Sequence, residues 1–335
     1  MVVHQVGIVG CGVIGTRLAE AFDASETTTI RAVCDRVEEK AESMANEYDC
    51  RALTSIDQLV DLSEIDIVYV GIPPKHHASG VEKSLEAGHH VICEKPIAES
   101  GSVGRELTAL AQDSDQTTAI NFPFRYTPGF REMQSQITAG QIGSPKRVTL
   151  QFRFPRWPRE WQDVEWLEGR EQGGPLREVG SHFLFGTQAL FGDIVDIDTT
   201  VRYTAPGKYE ESLVGTFLVG ADPEAGDRAG QRGAVPLEEQ IHGSIDILCG
   251  CAGPEENKIT VEGTEGTLSL QAWRRLVANP GESDERVITD AGGETTRALV
   301  DDFVSQIEDG DGNLVSFEEA TQTQQVVDEM LAGHH

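Results

Sequence analysis

Along the first third of the chain, short apolar runs alternate with longer stretches whose apolar residues recur every three or four positions. Residues 6–9, 30–34, 65–70, 90–93 and 117–121 have the strand pattern, and residues 16–22, 38–48, 78–87 and 101–112 have the helical one. Strands that alternate with helices predict a parallel, doubly wound α/β sheet. From residue 146 the rhythm changes. Strand-like runs at 146–154, 198–203, 212–219, 241–249, 258–262 and 266–271 predict a C-terminal α+β domain with a large, mostly antiparallel open sheet. Helices are predicted at 129–139, 180–191, 294–308 and 317–331. The predicted division is residues 1–121 and residues 122–335. The stretch 220–240, rich in Gly, Asp, Glu and Arg, reads as an exposed loop insertion. The closing Gly333-His334-His335 is a natural end or a tag remnant and is set aside.

A chain of 335 residues is too long for one ordinary core, in agreement with two domains. No apolar run approaches the ~20 residues of a membrane span. The start runs straight into a strand pattern with no charged-then-apolar leader, so no signal peptide is expected. The six cysteines have no zinc-ligand spacing and read as reduced thiols, with no metal expected and a cytoplasmic location. The net charge of −29 is spread along the chain, and only seven of the 27 basic residues are lysine. Such a surface fits a salt-rich cytosol, where screening over ~3 Å removes the self-repulsion, and a halophilic source is the expectation. The same charge excludes nucleic acid and anionic membrane as partners.

Gly10, Gly12 and Gly15 form a GxGxxG run with Cys11, Val13 and Ile14 between the first strand and the first helix. This spacing gives a tight turn, a close backbone approach to a pyrophosphate and a close helix–strand contact, the dinucleotide fingerprint of a Rossmann domain. Asp35 ends the second predicted strand and is placed to accept ribose hydroxyls. Its charge favours NAD over NADP. The next residue, Arg36, is able to pair with the 2′-phosphate of NADP, to stack on adenine or simply to be solvated, so NADP stays open.

Two further runs end apolar strands: Pro73-Pro74-Lys75-His76-His77 and Glu94-Lys95-Pro96. Both lie where an open α/β sheet binds its ligand, and Lys95 is a candidate for proton chemistry there. Glu178 and His182 are four residues apart, so a helix starting near Val179 turns both the same way. Histidine is the natural general base near neutral pH, with the carboxylate able to orient it. The alternative for this pair is a helix-entry carboxylate and a satisfied core histidine.

With these motifs the chain resembles the Gfo/Idh/MocA oxidoreductases over nearly its whole length. The resemblance rests on Gly10–Gly15 with Asp35, on Pro73 to His77, on Ala87-Gly88-His89-His90-Val91-Ile92-Cys93-Glu94-Lys95-Pro96, and on Asn121-Phe122-Pro123-Phe124-Arg125-Tyr126-Thr127-Pro128. It extends to Glu178 with His182 and to the late Glu262-Gly263-Thr264-Glu265-Gly266-Thr267-Leu268. The resemblance implies NAD(P)-dependent hydride transfer with a sugar, inositol or related polyol, in a homodimer or homotetramer. It implies catalytic roles for Lys95 and His182, with Glu178 where the family usually has aspartate. It further implies that Gly10, Gly12, Val13, Ile14, Gly15, Asp35, Arg36, Pro73, His77, Glu94, Lys95, Asn121 and Arg125 line the cofactor. Arg177 and Trp157 are substrate candidates, the latter inside a segment with three arginines and two tryptophans from Phe152 to Trp161. That segment also reads as a half-buried strand with a solvated face. Two other activities compete: a reductase of the same family acting on a ketone, imine or unsaturated ring, and a catalytically silent nucleotide-binding regulator. The regulator is expected to lose the lysine or the histidine, and both are present.

Overall fold

The computed structural model describes residues 2–162, 164–220 and 240–333. The expected loop 220–240, apart from its two end residues, lies outside the described residues, as do His334 and His335. The chain forms two compact units, Met1–Tyr126 with Glu294–Gln324, and Thr127–Gly293 with Gln325–His335.

The first unit runs β1 (His4–Val9), α1 (Val13–Asp23), β2 (Thr28–Cys34), α2 (Glu38–Tyr48), β3 (Arg51–Leu53), α3 (Ile56–Val60), β4 (Ile67–Val70), α4 (His77–Glu86), β5 (His90–Glu94), α5 (Gly101–Gln112) and β6 (Thr118–Asn121). The sheet order is β3-β2-β1-β4-β5-β6, and every pairing is parallel. β4 is buried at all four positions, which is why it is a continuous apolar run instead of an alternation. On one side Leu18, Ala19 and Phe22 of α1 pack with Ile8, Tyr69 and Ile92 of the strands.

The second unit contains α6 (Pro128–Thr138), β7 (Pro145–Phe154), α7 (Ser181–Phe191), β8 (Ile194–Tyr203), β9 (Glu210–Val219), β10 (Ile241–Cys249), β11 (Glu256–Gly263), β12 (Thr267–Gln271), β13 (Arg275–Ala278) and β14 (Arg286–Thr289). Its sheet has the order β14-β13-β12-β11-β7-β10-β9-β8, antiparallel except for β7 with β10. Val148, Leu150, Phe152 and Phe154 of β7 point to the buried face, and Phe183 of α7 meets Phe152 edge-on at 5.0 Å. The opposite face stays partly open, with Thr216, Ser244, Thr149 and Thr260 in register across four strands.

Two helices complete the chain, α8 (Thr295–Asp309) and α9 (Phe317–Ala332). The predicted division ran 122–335 together, whereas α8 and the first half of α9 count with the first unit. Leu299, Val300, Phe303 and Val304 form one stripe of α8 and join the core around α1. The edge strand β6 is covered by the same returning segment, with the Ile120 N–H donating to the Val315 carbonyl. Short elements with weak periodicity, β3, α3, β13 and β14, were not predicted.

Candidate active site

The first unit builds the fingerprint loop. Gly10 has φ +103°, and a Cβ there would meet the Gly71 carbonyl oxygen at 2.1 Å. A Cβ on Gly15 would lie 1.9 Å from the Gly10 carbonyl oxygen. Gly12 differs: nothing lies within 4 Å of its Cβ position, and α1 starts after it with no side-chain cap. A helix start of this kind leaves first-turn N–H groups for an anion. Val13 and Ile14 beside it are exposed although apolar. An uncovered apolar pair, a glycine facing open space and an uncapped helix start fit a dinucleotide laid across the loop.

Asp35 is tied into that loop. Its Oδ2 accepts the Cys11 N–H and its Oδ1 accepts the Val37 N–H, each at 2.9 Å. A carboxylate has about four lone-pair sites, so each oxygen can still accept a ribose hydroxyl. Arg36 is exposed. Burial, then the Asp35 charge, push the Cys11 thiol up to about 12, so it packs as a small neutral group.

At the strand ends, Glu94 closes β5 and Lys95 follows it. Glu94 Oε1 accepts the Tyr69 hydroxyl at 2.9 Å and the Asn121 amide at 2.5 Å. Tyr69 is fully buried, and burial followed by the Glu94 charge raises its pKa well above the usual value, which keeps it a donor. Gly71 makes room, since a Cβ there would sit 2.5 Å from the Tyr69 hydroxyl. The carboxylate next to Lys95 is thus locked by two neutral donors.

Three expectations change here. His77 is 0% exposed and does not line a surface. Its Nδ1 faces the Pro96 carbonyl at 2.9 Å and its Nε2 the Ile72 carbonyl at 2.6 Å, so the ring sits between the two strand-end loops and, when neutral, donates to one of them. Arg125 is turned inward, donating to Asn313 at 2.8 Å and to the Glu319 carboxylate at 2.7 Å. Asn121 is buried and donates to Glu94. Pro73 is exposed at the amino end of the turn Pro74–His76 that precedes α4.

In the second unit the helix carrying His182 begins earlier and wider than expected. Leu176–Gly180 is a π-helical turn running straight into α7, with the Ser181 N–H bonded to the Leu176 carbonyl. Glu178 lies on this turn and accepts from Gln162 Nε2 at 3.2 Å. His182 is buried, and its ring meets Trp273 edge-on at 5.1 Å. Trp273 (φ +69°) and Ala272 (φ +47°) are both left-handed at the tip of the β12–β13 hairpin. Such turns prefer Asn-Gly, so a tryptophan there is held against a backbone cost of about 1–2 kcal/mol.

Arg177 and Trp157 also depart from expectation. Arg177 donates to Asp328 of α9 at 2.7 Å and is mostly buried. Trp157 is 5% exposed, with its indole N–H on the Leu167 carbonyl at 3.1 Å. The exposed ring of that segment is Trp161, 57% accessible, with the Arg159 guanidinium 5.3 Å from its centre. Tyr69, Gln162, Trp273 and the buried Glu210, which accepts the Leu176 N–H, were not singled out from sequence. Their partners are 16 to 91 residues away, beyond any local pattern.

Among the described residues no helix is long and apolar enough to cross a membrane. The profile described as "Oxidoreductase family, NAD-binding Rossmann fold" matches residues 4–122, and the "GFO/IDH/MocA C-terminal domain" matches residues 130–269. The chain is 31% identical to a dTDP-3,4-didehydro-2,6-dideoxy-alpha-D-glucose 3-reductase of Streptomyces violaceoruber over 56% of its own length and 54% of the relative's. It therefore spans about half the length of that relative. It is 29% identical to an inositol 2-dehydrogenase of Rhizobium meliloti over 73% of its own length and 79% of the relative's. In fold it is similar to a levoglucosan dehydrogenase solved with NADH and L-sorbose, with a TM-score of 0.83, 17% identity and coverage of 99% and 96% of the two chains.

Proposed function

The chain belongs to the Gfo/Idh/MocA oxidoreductase family, whose first domain is an NAD-binding Rossmann fold, and we propose that it is an NAD(P)-dependent dehydrogenase of CH–OH groups in a sugar, an inositol or a related polyol. The observation that carries this reading is the joint retention of Lys95 beside a locked Glu94 and of His182 one turn after Glu178. The relative named as an inositol 2-dehydrogenase supports the substrate class.

When bound, the nicotinamide supplies hydride exchange. The uncapped start of α1 holds the pyrophosphate, and Asp35 and Arg36 take the adenosine ribose. His182 accepts the hydroxyl proton at a ring nitrogen, and Glu178 supports the resulting imidazolium. Lys95, as an ammonium, stabilises the alkoxide-like oxygen of the transition state, with Glu94 balancing its charge. The relative named as a reductase favours a second reading, in which the same groups run in reverse and His182 returns the proton to a keto sugar.

The partly open row of Thr149, Thr216, Ser244 and Thr260 is the face we assign to a homodimer or homotetramer. Sedimentation at monomer mass in high salt would overturn that assignment. The free thiols and the charge of −29 support a reducing, salt-rich cytoplasm. The test of function is nicotinamide absorbance at high salt, with NAD and NADP, against sugars, inositols and sugar acids. Reduction with at least one polyol is expected. Silence with all of them, alongside tight cofactor binding, would favour a regulator.

A further inference from the structure

We propose that Glu210 is a positioning residue that holds, through one backbone amide, the π-helical turn carrying Glu178 and leading into His182. Glu210 opens β9 and is 1% exposed. Its Oε1 accepts the Leu176 N–H at 2.7 Å, at the first residue of the turn Leu176–Gly180. Its Oε2 occupies the space over Gly174: a Cβ there would lie 2.4 Å away, and Gly174 has φ +99°. Gly174 thus lets an acidic side chain reach under the turn. The Glu178 N–H donates to the Gly174 carbonyl at 3.0 Å, so the glycine that yields space to Glu210 also bonds the carboxylate residue four positions before the proposed base.

The surroundings make this contact dependent on charge. Arg177 on the turn, Arg170 on the preceding loop, Tyr203 on β8 and Cys249 on β10 are the titratable and charged groups that act on Glu210. Burial pushes the Glu210 carboxyl up to about 7, against the opposing pull of the Leu176 N–H and the two arginines. Arg177 makes its ion pair with Asp328 at 2.7 Å. Protonated Glu210 keeps an acceptor for Leu176 but loses its longer-range attraction to the Arg177 charge. Ionised Glu210 makes the stronger, charge-assisted bond. That gain is smaller than the cost of burying the charge: against a free carboxyl that ionises near 4.5, the raised value means that the buried contact is most favourable with Glu210 protonated, and this stabilisation is lost as pH rises through about 7.

This inference rests on the reading that His182 and Glu178 do the proton work, and its test includes a measurement that needs no turnover. Amide exchange at Leu176, corrected for its intrinsic pH dependence, is followed in the full chain at high salt with wild type, Glu210→Gln and Glu210→Leu. Wild-type protection should fall about tenfold from about pH 6 to 8, as the buried carboxyl ionises, and Glu210→Gln should show no such fall. Glu210→Leu should lower kcat at least about tenfold while cofactor binding stays at its wild-type level, and Glu210→Gln should restore kcat to within about threefold at pH below 7. Protection that is flat with pH in wild type overturns the proposal, even if Glu210→Leu fails to fold. A folded Glu210→Leu with wild-type kcat overturns it as well. Absence of turnover in wild type with normal Leu176 behaviour would instead sink the dehydrogenase reading and leave the positioning contact standing.

Discussion

Replacing Gly12 and Gly15 separately should split cofactor binding from folding. Gly12 has φ −89° and ψ −173°, a conformation alanine adopts freely, and its Cβ would meet nothing within 4 Å. Gly12→Ala should leave the fold intact, and removing a glycine's freedom in the unfolded chain adds about 0.4–1 kcal/mol of stability. In the bound state the new methyl stands over the helix start where the pyrophosphate must approach. Losing one charge-assisted hydrogen bond costs about 1.5–3 kcal/mol. That is roughly a tenfold to 150-fold weaker Kd. Gly15→Ala should do the reverse. Its Cβ would lie 1.9 Å from the Gly10 carbonyl oxygen, a backbone atom that no rotamer change relieves. Overpacking of this kind costs about 1–3 kcal/mol, and about 2–4 °C of Tm per kcal/mol in a unit of this size. NAD(P)H fluorescence titration gives Kd, and thermal melting without cofactor gives Tm. Wild-type affinity in Gly12→Ala would remove the loop from the cofactor site. A Tm several degrees lower in that variant would contradict the open space above Gly12.

Two other outcomes follow from the same geometry. Lys95→Ala should lower kcat by about 10²- to 10³-fold with little change in NAD(P)H affinity, read by steady-state kinetics and fluorescence; undiminished turnover would remove Lys95 from the mechanism. His77 and His90 are both held below the ordinary imidazole value of 6.5 by burial first, so the unfolded chain binds protons that the folded chain refuses. Their stabilisation is complete above 6.5 and is lost as pH falls through the lower folded values, so the urea midpoint should drop between about pH 7.5 and 5.5; equal midpoints would contradict the burial of these rings.

The local patterns were legible along the chain because each depends on neighbours in sequence. The strand–helix alternation, the Gly10-Gly12-Gly15 spacing and the two strand ends at Pro73 and Lys95 are of that kind. A glycine fingerprint works through its own turn and helix start, so spacing alone identifies it. The partner of an amphipathic helix is different: the stripe of α8 shows that it packs, not that it packs around α1. Arginines and tryptophans are ambiguous for the same reason. Arg125 and Arg177 read as ligand contacts until Glu319 and Asp328 arrive from far along the chain. Trp157 and Trp161 are alike in sequence, and the fold buries the first and leaves the second exposed. The largest gap lies around His182. Its spacing from Glu178 marked the pair, yet the Glu210 carboxylate that holds the π-helical turn carrying Glu178 and the left-handed Trp273 against the ring come from segments distant in sequence. Periodicity decides which face of an element is apolar; only tertiary packing decides which charge and which ring are brought to that face, because those contacts are made through space.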